Sequence, residues 1–369
     1  MVYRTIGLMS GSSLDGIDIV FAEFQENGGK WSYGILNAGC YPYPEEWITR
    51  LKNSISLNAL DYQLLHVDYG HYLGQQVNKF IEENALQYKV ALIASHGHTS
   101  FHIPGKKMTA QLGDGAAIAA GTQLPVVSDL RALDVAFGGQ GAPIVPVGEK
   151  LLLGNYYFFL NLGGIANISI NTDQYIAFDI CAANRVLNML ANDAGKEYDK
   201  DGGMARQGKV DNDLLEKLNQ LDYYRQPYPK SLANDFGTDT AYPIIKKESI
   251  PTNDALRTYT EHIAVQIKQA IADSRLPAVI QSEAKDRSRL LATGGGAFNI
   301  FLMEKLKEQL KQLNIDVIVP DEKLVNYKEA LIMAFIGVLR WREEYNVLAS
   351  VTGAKRGSIG GALWLGQEA

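Results

Sequence analysis

Hydrophobic and polar positions alternate near the start of the chain. In IDIVFAEF, which begins at residue 17, Ile17, Ile19 and Phe21 occupy every second position and Asp18 lies between the first two. This period of two predicts a partly buried strand. TIGLMS before it predicts a first strand, the Gly/Ser-rich stretch between them a turn, and KWSYGILNAG a third strand. Helices are predicted next, over 44–55 and 58–86.

Shorter elements complete the first half. VALIAS predicts a strand that runs into HGHTS, DGAAIAAG a short helix, and LPVVSDL another strand. The Pro/Gly-rich stretch GGQGAPIVPVG (138–148) is the predicted crossover to the second half.

The second half repeats the opening. YYFFLNLGGIANISI (156–170) predicts a strand, a Gly-Gly turn and a strand, and QYIAFDI predicts a third. Further helices are predicted over 182–194, 211–220, 253–273, 298–312 and 327–345, with strands at RLLATGGG and DVIVP. Two halves that both open with a glycine-turn hairpin predict a duplicated α/β fold of the actin-like or hexokinase-type (ribonuclease H-like) class, with two lobes and a central cleft. We predict an N-terminal lobe from 1–128 plus about 352–369 and a C-terminal lobe from 129–351.

Composition and charge narrow the possible partners. The net charge is −6 and no Lys/Arg-rich block occurs, which argues against nucleic acid. Cys40 and Cys181 lie in unrelated contexts, as is typical of a reducing cytoplasm and not of a disulfide framework. No secretory signal is recognisable, and the apolar run ALIMAFIGVL (330–339) is too short to span a bilayer. We therefore expect a cytoplasmic protein with a small-molecule partner and no membrane or nucleic-acid partner.

The glycine turns match no standard nucleotide motif. Gly11 and Gly16 have the spacing of a P-loop, but Ile17 and Asp18 stand where its Lys-Ser/Thr pair is required. The phosphates would then lack their usual fixed cation. The Rossmann fingerprint is also missing. A tight hairpin is the plain interpretation of GSSLDG alone. NLGGIANIS and TGGGAFN (293–299) also follow apolar strands, so the three clusters together predict two phosphate grips and an adenosine-side contact.

Two further features carry candidate chemistry. In HGHTSFH, His96, His98 and His102 could be zinc ligands, but no cysteine is near and the spacing matches no established zinc signature. Asp179 follows the apolar run YIAF and precedes a predicted helix. At the C-terminal end of a strand it would lie where α/β proteins bind ligands. It could also be the N-cap of that helix, where aspartate is strongly favoured, so both interpretations stay open.

Nine segments from residue 7 to about 354 carry a family resemblance, namely GLMSGSSLDGID, SHGHTSFHIPG, QLGDGAAIA, SDLRALDVAFGGQGAPIVP, NLGGIANISI, AFDICAAN, YDKDGGMARQGKV, TGGGAFN and SVTGA. They resemble the anhydro-N-acetylmuramic acid kinases of bacterial cell-wall recycling. The resemblance implies an actin-like fold, ATP and Mg²⁺ as cofactors, and a cytoplasmic homodimer. It also implies a reaction in which water opens the 1,6-anhydro bridge of the sugar while O6 takes the γ-phosphoryl group of ATP.

The resemblance also implies roles for individual residues. Asp179 is the expected general base. The expected nucleotide contacts are Ser10, Gly11, Ser12, Ser13, Asp15 and Gly16, with Asp15 or Asp18 orienting the waters of Mg²⁺, and Gly163, Gly164 and Asn167 as the opposing grip, with Gly294, Gly295 and Gly296 nearer the adenosine. The expected sugar contacts are His96, His98, Thr99, Arg131 and Glu329, of which Arg131 would grip the lactyl carboxylate bidentately.

Plain structural alternatives accompany three of these roles. Asp18 could be a solvated carboxylate at a strand edge. Arg131 could pair at the surface with Asp129 or Asp134. Glu329 could belong to a capping box that begins three residues earlier, at Asn326.

The chain departs from the family pattern at two turns. The family motif F-D-T-G-P-G-N, or F-D-I-C-P-x-N in a subgroup, reads FDICAAN at 178–184, without the proline. K-S-x-G-x-E reads KSLAND at 230–235, without the glycine and with a shorter acid. The sugar kinase remains the first hypothesis, and these changes leave two alternatives open: an actin-like nucleotide-dependent switch or scaffold without sugar kinase activity, or a kinase for a related sugar.

Overall fold

A computed structural model describes residues 1–11, 14–172, 175–228, 230–233, 235–274 and 288–366. The strands in these residues are β1 (Val2–Ser10), β2 (Gly16–Asn27), β3 (Lys30–Pro42), β4 (Leu92–Ser95), β5 (His98–Ile103), β6 (Met108–Leu112), β7 (Val126–Ser128), β8 (Phe158–Leu162), β9 (Ile165–Ile170), β10 (Ile176–Ala182), β11 (Ser288–Thr293), β12 (Ile315–Ile318) and β13 (Ala362–Trp364). The α-helices are α1 (Glu45–Lys52), α2 (Ala59–Glu83), α3 (Gly115–Thr122), α4 (Ala132–Ala136), α5 (Pro146–Leu152), α6 (Asn184–Asn192), α7 (Gly203–Gln207), α8 (Asn212–Asn219), α9 (Asp222–Arg225), α10 (Tyr242–Lys247), α11 (Thr252–Asp273), α12 (Ile300–Lys311), α13 (Glu322–Trp341) and α14 (Ala349–Thr352).

The chain divides into two compact units. Unit 1 contains residues 1–154 and the chain from residue 327 onward, and unit 2 contains residues 155–326. These bounds differ from the predicted lobes. The segment 129–154 belongs to unit 1, where α5 packs on β3. The segment 327–351 belongs there too, because α13 crosses β1 so closely that a Cβ on Gly7 would lie 2.0 Å from the carbonyl oxygen of Ala330. The crossover therefore comes after Gly154 and not within 138–148.

The sheets of the two units share a five-strand arrangement, to which unit 1 adds the edge strand β13. Unit 1 has the strand order β13-β7-β4-β1-β2-β3, and unit 2 has β10-β9-β8-β11-β12. In each unit, three consecutive strands are antiparallel, and the first of them pairs in parallel with the next strand inward. This repetition confirms the predicted duplicated α/β fold of the actin-like, hexokinase-type class. The edge strand β13 was not predicted from the sequence.

The alternation seen in the sequence accounts for one face of β2 only, because Val20 and Ala22 on its other face are buried as well. Ile17, Ile19 and Phe21 are buried in one cluster with residues of α2. Asp18 therefore points to the opposite face of the sheet. α13 begins at Glu322, earlier than predicted, and Asp321 accepts a hydrogen bond from the backbone N–H of Leu324 at 3.0 Å. Within the described ranges, no helix is both long and apolar enough to cross a membrane.

The core of unit 2 contains a buried histidine. His262 on α11 is fully buried. Its Nδ1 lies 2.7 Å from Oδ1 of Asn219, and its Nε2 lies 3.1 Å from the hydroxyl of Tyr224. Asn219 Oδ1 can only accept, so Nδ1 carries the proton and Nε2 accepts from the tyrosine. Burial lowers the pKa of His262 to about 3.

This histidine is expected to make folding sensitive to acid. As the pH falls below about 6.5, the unfolded chain takes up a proton at His262 that the folded protein does not bind. The free energy of unfolding is therefore unaffected by His262 above that pH and falls as the pH drops toward 3. At pH 5 it is lower by about 2 kcal/mol. Urea unfolding of the wild type and of His262→Gln at pH 7 and pH 5 checks this, because the variant should lose less stability on acidification. Equal losses in both proteins would contradict it.

Candidate active site

Polar side chains form a row across the sheet of unit 2. Asp179 on β10 lies directly opposite Asn167 on β9, which lies opposite Asn161 on β8. Directly paired residues of antiparallel strands share one face, and all three are half-buried. Their neighbours along the strands, such as Leu160 and Ile168, point into the core on the other face. Asn167 thus lies beside the candidate base and not at the tip of the glycine hairpin.

Asp179 is held by a segment that lies about fifty residues later in the chain. Its Oδ2 accepts hydrogen bonds from the Ser231 hydroxyl at 3.0 Å and from the backbone N–H of Leu232 at 2.9 Å. Its own N–H donates to the carbonyl oxygen of Lys230 at 3.1 Å. Among the described residues, both bonds to the carboxylate end on Oδ2, which leaves Oδ1 for a substrate or a water.

The interpretation of Asp179 as a helix N-cap is wrong. Asp179 is the fourth residue of β10, which continues to Ala182, and the residue preceding α6 is Ala183. The strand pairing shifts register between Asp179 and Cys181, as in a β-bulge. Such bulges re-aim side chains next to functional sites. Asp179 therefore lies at a bulge within the edge strand β10 and not at the end of a strand, as was predicted.

Two of the candidate glycines are required by the packing of the protein itself. Gly294 has a φ of +80°, and a Cβ there would lie 2.6 Å from Oδ1 of Asn161. A Cβ on Gly296 would lie 2.8 Å from the Cβ of Leu162 and 2.9 Å from Oδ1 of Asn184. The fold alone therefore accounts for these two residues.

Three other candidate glycines have room for a Cβ at ordinary contact distance. A Cβ on Gly163, Gly164 or Gly295 would meet no heavy atom closer than 3.6 Å. Neither backbone strain nor a protein neighbour requires glycine at these positions. A ligand that approaches the backbone closely would require it, so these three glycines fit the predicted nucleotide contacts.

Asn184 joins the two glycine turns and was not predicted from the sequence as a site residue. Its backbone N–H donates to the carbonyl oxygen of Gly163 at 3.1 Å, and its Nδ2 donates to that of Leu162 at 2.9 Å. The same amide lies against the positions of Gly295 and Gly296. The signal in the sequence is that Asn184 is the polar residue directly after the apolar stretch ICAA (180–183).

A cavity of about 460 Å³ opens beside this junction. It is lined by Asn184, Leu187, Asn188, Tyr198, Asp199, Lys200, Asp201, Gly295, Gly296, Phe298 and Asn299. Its size is within the usual range for small-molecule sites, and it combines apolar walls with a few polar groups. The cavity lies at the glycines that the sequence analysis assigns to the adenosine side.

The two kinds of glycine should respond differently to the same substitution. Gly164→Ala is expected to leave the thermal unfolding midpoint within about 2 °C and to weaken binding of a non-hydrolysable ATP analogue by about tenfold, because the new methyl group occupies ligand space. Gly296→Ala is expected to lower the midpoint by several degrees, because its methyl group overlaps Leu162. Differential scanning fluorimetry and calorimetric titration check both. A loss of stability in Gly164→Ala with unchanged affinity would contradict this assignment.

Asp18 lies in an acidic region of unit 1. It is partly buried on β2, between β1 and β3, so it is not a solvated residue at a sheet edge. Burial above all raises the pKa of the Asp18 carboxyl to about 6; the charges of Asp15 and Glu329 raise it further, and a hydrogen bond from Cys40 opposes them. A cation near these carboxylates would relieve their repulsion.

Glu329 does not belong to a capping box at Asn326. Both residues lie inside α13, which begins at Glu322. Glu329 is exposed, and it follows a break in helical geometry at Tyr327 (φ −119°, ψ 17°).

The first glycine turn is only partly described. Ser12 and Ser13 lie outside the described residues. Ser10 is buried, and its hydroxyl lies 2.7 Å from that of Tyr43, so its side chain is engaged inside the unit. A Cβ on Gly16 would lie 2.6 Å from the carbonyl oxygen of Tyr41, so strand packing explains that glycine. Gly11 is half-buried and Asp15 is exposed.

The side chains of His96 and Arg131 are hydrogen-bonded to each other. The Nε of Arg131 donates to Nε2 of His96 at 2.8 Å, so the proton of His96 is on Nδ1, which lies 2.8 Å from the carbonyl oxygen of Gly97. Nη1 of Arg131 donates to the carbonyl oxygen of Gly141 at 2.5 Å. Burial lowers the pKa of His96 to about 3. A neutral His96 thus orients the guanidinium of Arg131.

The surface ion pair considered for Arg131 is not found in the described part of the chain. Asp129 accepts from the Ser128 hydroxyl at 2.9 Å. Asp134 is fully buried and accepts from the N–H of Gly141 and the Thr352 hydroxyl. Burial lowers the pKa of Arg131 to about 10, and the charge of Glu329 partly offsets this.

The remaining sugar candidates differ in accessibility. His98 is buried and its Nδ1 lies 3.3 Å from the Ser10 hydroxyl, whereas Thr99 is exposed. His102 contacts the Thr109 hydroxyl at 3.0 Å. The three histidines of HGHTSFH thus have separate partners, and the described residues contain no group of three His, Cys, Asp or Glu that could hold a metal.

Comparison with known proteins decides the family. A family model described as anhydro-N-acetylmuramic acid kinase matches residues 3–366. The chain belongs to this family. It is 34% identical to the anhydro-N-acetylmuramic acid kinase of Francisella tularensis subsp. novicida, with 97% of each chain covered. It is 31% identical to that of Sulfurovum sp., with 98% of this chain and 99% of the relative covered.

Solved structures show weaker similarity. An activator of the 2-hydroxyisocaproyl-CoA dehydratase from Clostridium difficile with bound ADPNP is 13% identical, with a TM-score of 0.42 over 92% of this chain and 96% of that chain. Membership of the anhydro-N-acetylmuramic acid kinase family confirms the predicted resemblance. It also confirms that the protein is a kinase, since the match extends over almost the whole chain.

Proposed function

We propose that this chain is an ATP-dependent kinase that opens the 1,6-anhydro ring of anhydro-N-acetylmuramic acid and phosphorylates O6. The oxygen of a water molecule bonds to C1, the C1–O6 bond breaks, and O6 takes the γ-phosphoryl group of ATP. One proton of the water passes to a base and then to solvent. The products are N-acetylmuramic acid 6-phosphate and ADP.

The observation that carries this proposal is that two hydrogen bonds hold one oxygen of the Asp179 carboxylate. Ser231 and Leu232 hold Oδ2, and Oδ1 remains to take a proton from water. Ordinary glycosidases need a second carboxyl group to protonate the leaving oxygen. Here the leaving O6 is phosphorylated and does not need to be protonated, so one base is sufficient. Asn167, directly across from Asp179, is placed to hydrogen-bond the same water or a sugar hydroxyl.

The nucleotide contacts follow from the glycine turns. The adenosine would bind in the cavity beside Gly295, and the phosphates would extend along Asn184 toward Gly163 and Gly164. Phosphoryl transfer asks the protein mainly for alignment and charge stabilisation. The first turn, which includes Gly11, would contribute backbone N–H groups.

The acidic region of unit 1 fits a magnesium ion. Asp15 and Asp18 would hold it through its waters, with Glu329 nearby, because Mg²⁺ binds one or two carboxylates together with substrate phosphates. The ion would neutralise charge on the phosphates.

Arg131 is the proposed partner of the lactyl carboxylate. His96 and Gly141 fix the plane of the guanidinium, and a fixed fork suits bidentate binding of a carboxylate. Thr99, and His98 through its ring, would contact hydroxyl or acetamido groups of the sugar. We further propose that the enzyme acts as a homodimer in the cytoplasm, as the family resemblance implies.

A coupled assay of ADP formation tests this function. ADP release is expected to depend on the anhydro sugar, and the sugar product should gain the mass of one water and one phosphoryl group. ADP release at the same rate without the sugar would instead support a nucleotide-dependent switch. Turnover of a different anhydro sugar, but not of this one, would support a kinase for a related sugar.

A further inference from the structure

Arg185 is fixed beside the tip of the hairpin between β8 and β9. The backbone N–H groups of Ala183 and Arg185 donate to the carbonyl oxygen of Gly164, at 2.8 and 3.4 Å. The side chain of Arg185 then runs along this glycine: a Cβ on Gly164 would lie 3.8 Å from its Cβ, 3.7 Å from its Nε and 4.0 Å from its Nη2. On its other side, the stem of Arg185 passes 3.7 Å from the Cβ position of Gly237.

The surroundings of this guanidinium favour an anion. Gly163 and Gly164 carry no side chain, and Gly164 and Arg185 are both exposed. The residue before it, Asn184, borders the proposed adenosine cavity. The sequence also lacks the lysine with which a P-loop binds the β- and γ-phosphates. The hairpin between β8 and β9 therefore has a cation beside it, which α6 supplies and not a P-loop lysine.

We propose that Arg185 binds the β- and γ-phosphate oxygens of ATP and stabilises charge as the phosphoryl group leaves ADP. This inference rests on the proposed function, since it takes the cavity beside Gly295 as the adenosine site. Arginine suits the task because its planar fork donates two parallel hydrogen bonds to phosphate. The bond between the γ-phosphorus and the bridging oxygen breaks, the bond to O6 forms, and Arg185 exchanges no proton.

Nucleotide binding separates this role from a structural one. Calorimetric titration would compare AMP with a non-hydrolysable ATP analogue in the presence of Mg²⁺. Arg185→Gln is expected to weaken binding of the analogue by about 10- to 100-fold and binding of AMP by less than threefold. Arg185→Lys should recover part of the loss, and Arg289→Gln is the matched control, because Arg289 stacks on Tyr156 elsewhere in unit 2. The kcat of Arg185→Gln should also fall.

Three results would overturn the proposal. These are an unchanged affinity for the analogue in Arg185→Gln, equal losses for AMP and the analogue, and a wild type that binds both nucleotides equally well. Failure of the proposed function appears separately, as a wild type that binds the analogue but does not phosphorylate the anhydro sugar. The comparison of nucleotides remains informative in that case.

Discussion

Asp179→Asn is expected to lower kcat for the anhydro sugar by about 10²- to 10⁴-fold, the usual contribution of a positioned general base. The amide oxygen of asparagine can still accept the bonds from Ser231 and Leu232, so the local structure should persist. It cannot take a proton from water at neutral pH. Steady-state kinetics and titration with an ATP analogue measure the two effects, and the affinity for the analogue should remain within about threefold of the wild type.

Asp213→Asn is the matched control for this variant. Asp213 is an exposed aspartate near the start of α8, so the same change there should leave kcat unaltered. A separate variant, Ser231→Ala, removes one of the two bonds to Oδ2 and should give a smaller loss than Asp179→Asn. Normal turnover in Asp179→Asn would remove this residue from its proposed role.

Arg131→Met is expected to lower kcat/KM for the anhydro sugar by about 10²- to 10⁴-fold, mainly through KM. A bidentate arginine supplies two charge-assisted hydrogen bonds to the lactyl carboxylate, each of which contributes about 1.5–3 kcal/mol. Arg131→Lys should restore little, because an ammonium group cannot reproduce the fork that His96 and Gly141 orient. Kinetics with the anhydro sugar measure both losses.

A second substrate makes this prediction specific. With the anhydro amino sugar that lacks the lactyl group, the wild type and Arg131→Met should have similar kcat/KM. Arg4→Met, which removes a surface partner of Glu23 in the same unit, is the control for a change of charge. Equal losses on both sugars in Arg131→Met would show that this arginine does not bind the carboxylate.

Strand and helix periodicity predicted most of the fold because the burial pattern is local. The alternation in IDIVFAEF places Ile17 in a core and Asp18 on the other face, as the structure has it. The repeated glycine hairpins predicted the two equivalent sheets. The unit boundaries and β13 were missed because they depend on tertiary contacts: α13 packs closely on β1, and β13 pairs with β7.

The candidate site was predicted less completely, for the same reason. Asp179 depends on Ser231 and Leu232, which no local pattern connects to it. His96 looks like a ligand in the sequence, but in the fold it orients Arg131. Glycines alike in the sequence differ in their surroundings: packing requires Gly296, whereas a Cβ on Gly295 would come no closer than 3.7 Å to another heavy atom. Only the neighbours in three dimensions separate these cases.

The central claim is that a water activated at Asp179 opens the anhydro ring while O6 receives the phosphoryl group. Incubation with ATP in oxygen-18 water, followed at once by mass spectrometry, tests it most directly. We expect a sugar phosphate with one heavy oxygen, located at C1, and an unlabelled phosphoryl group. Heavy oxygen in free inorganic phosphate, with the anhydro sugar intact, would contradict the account.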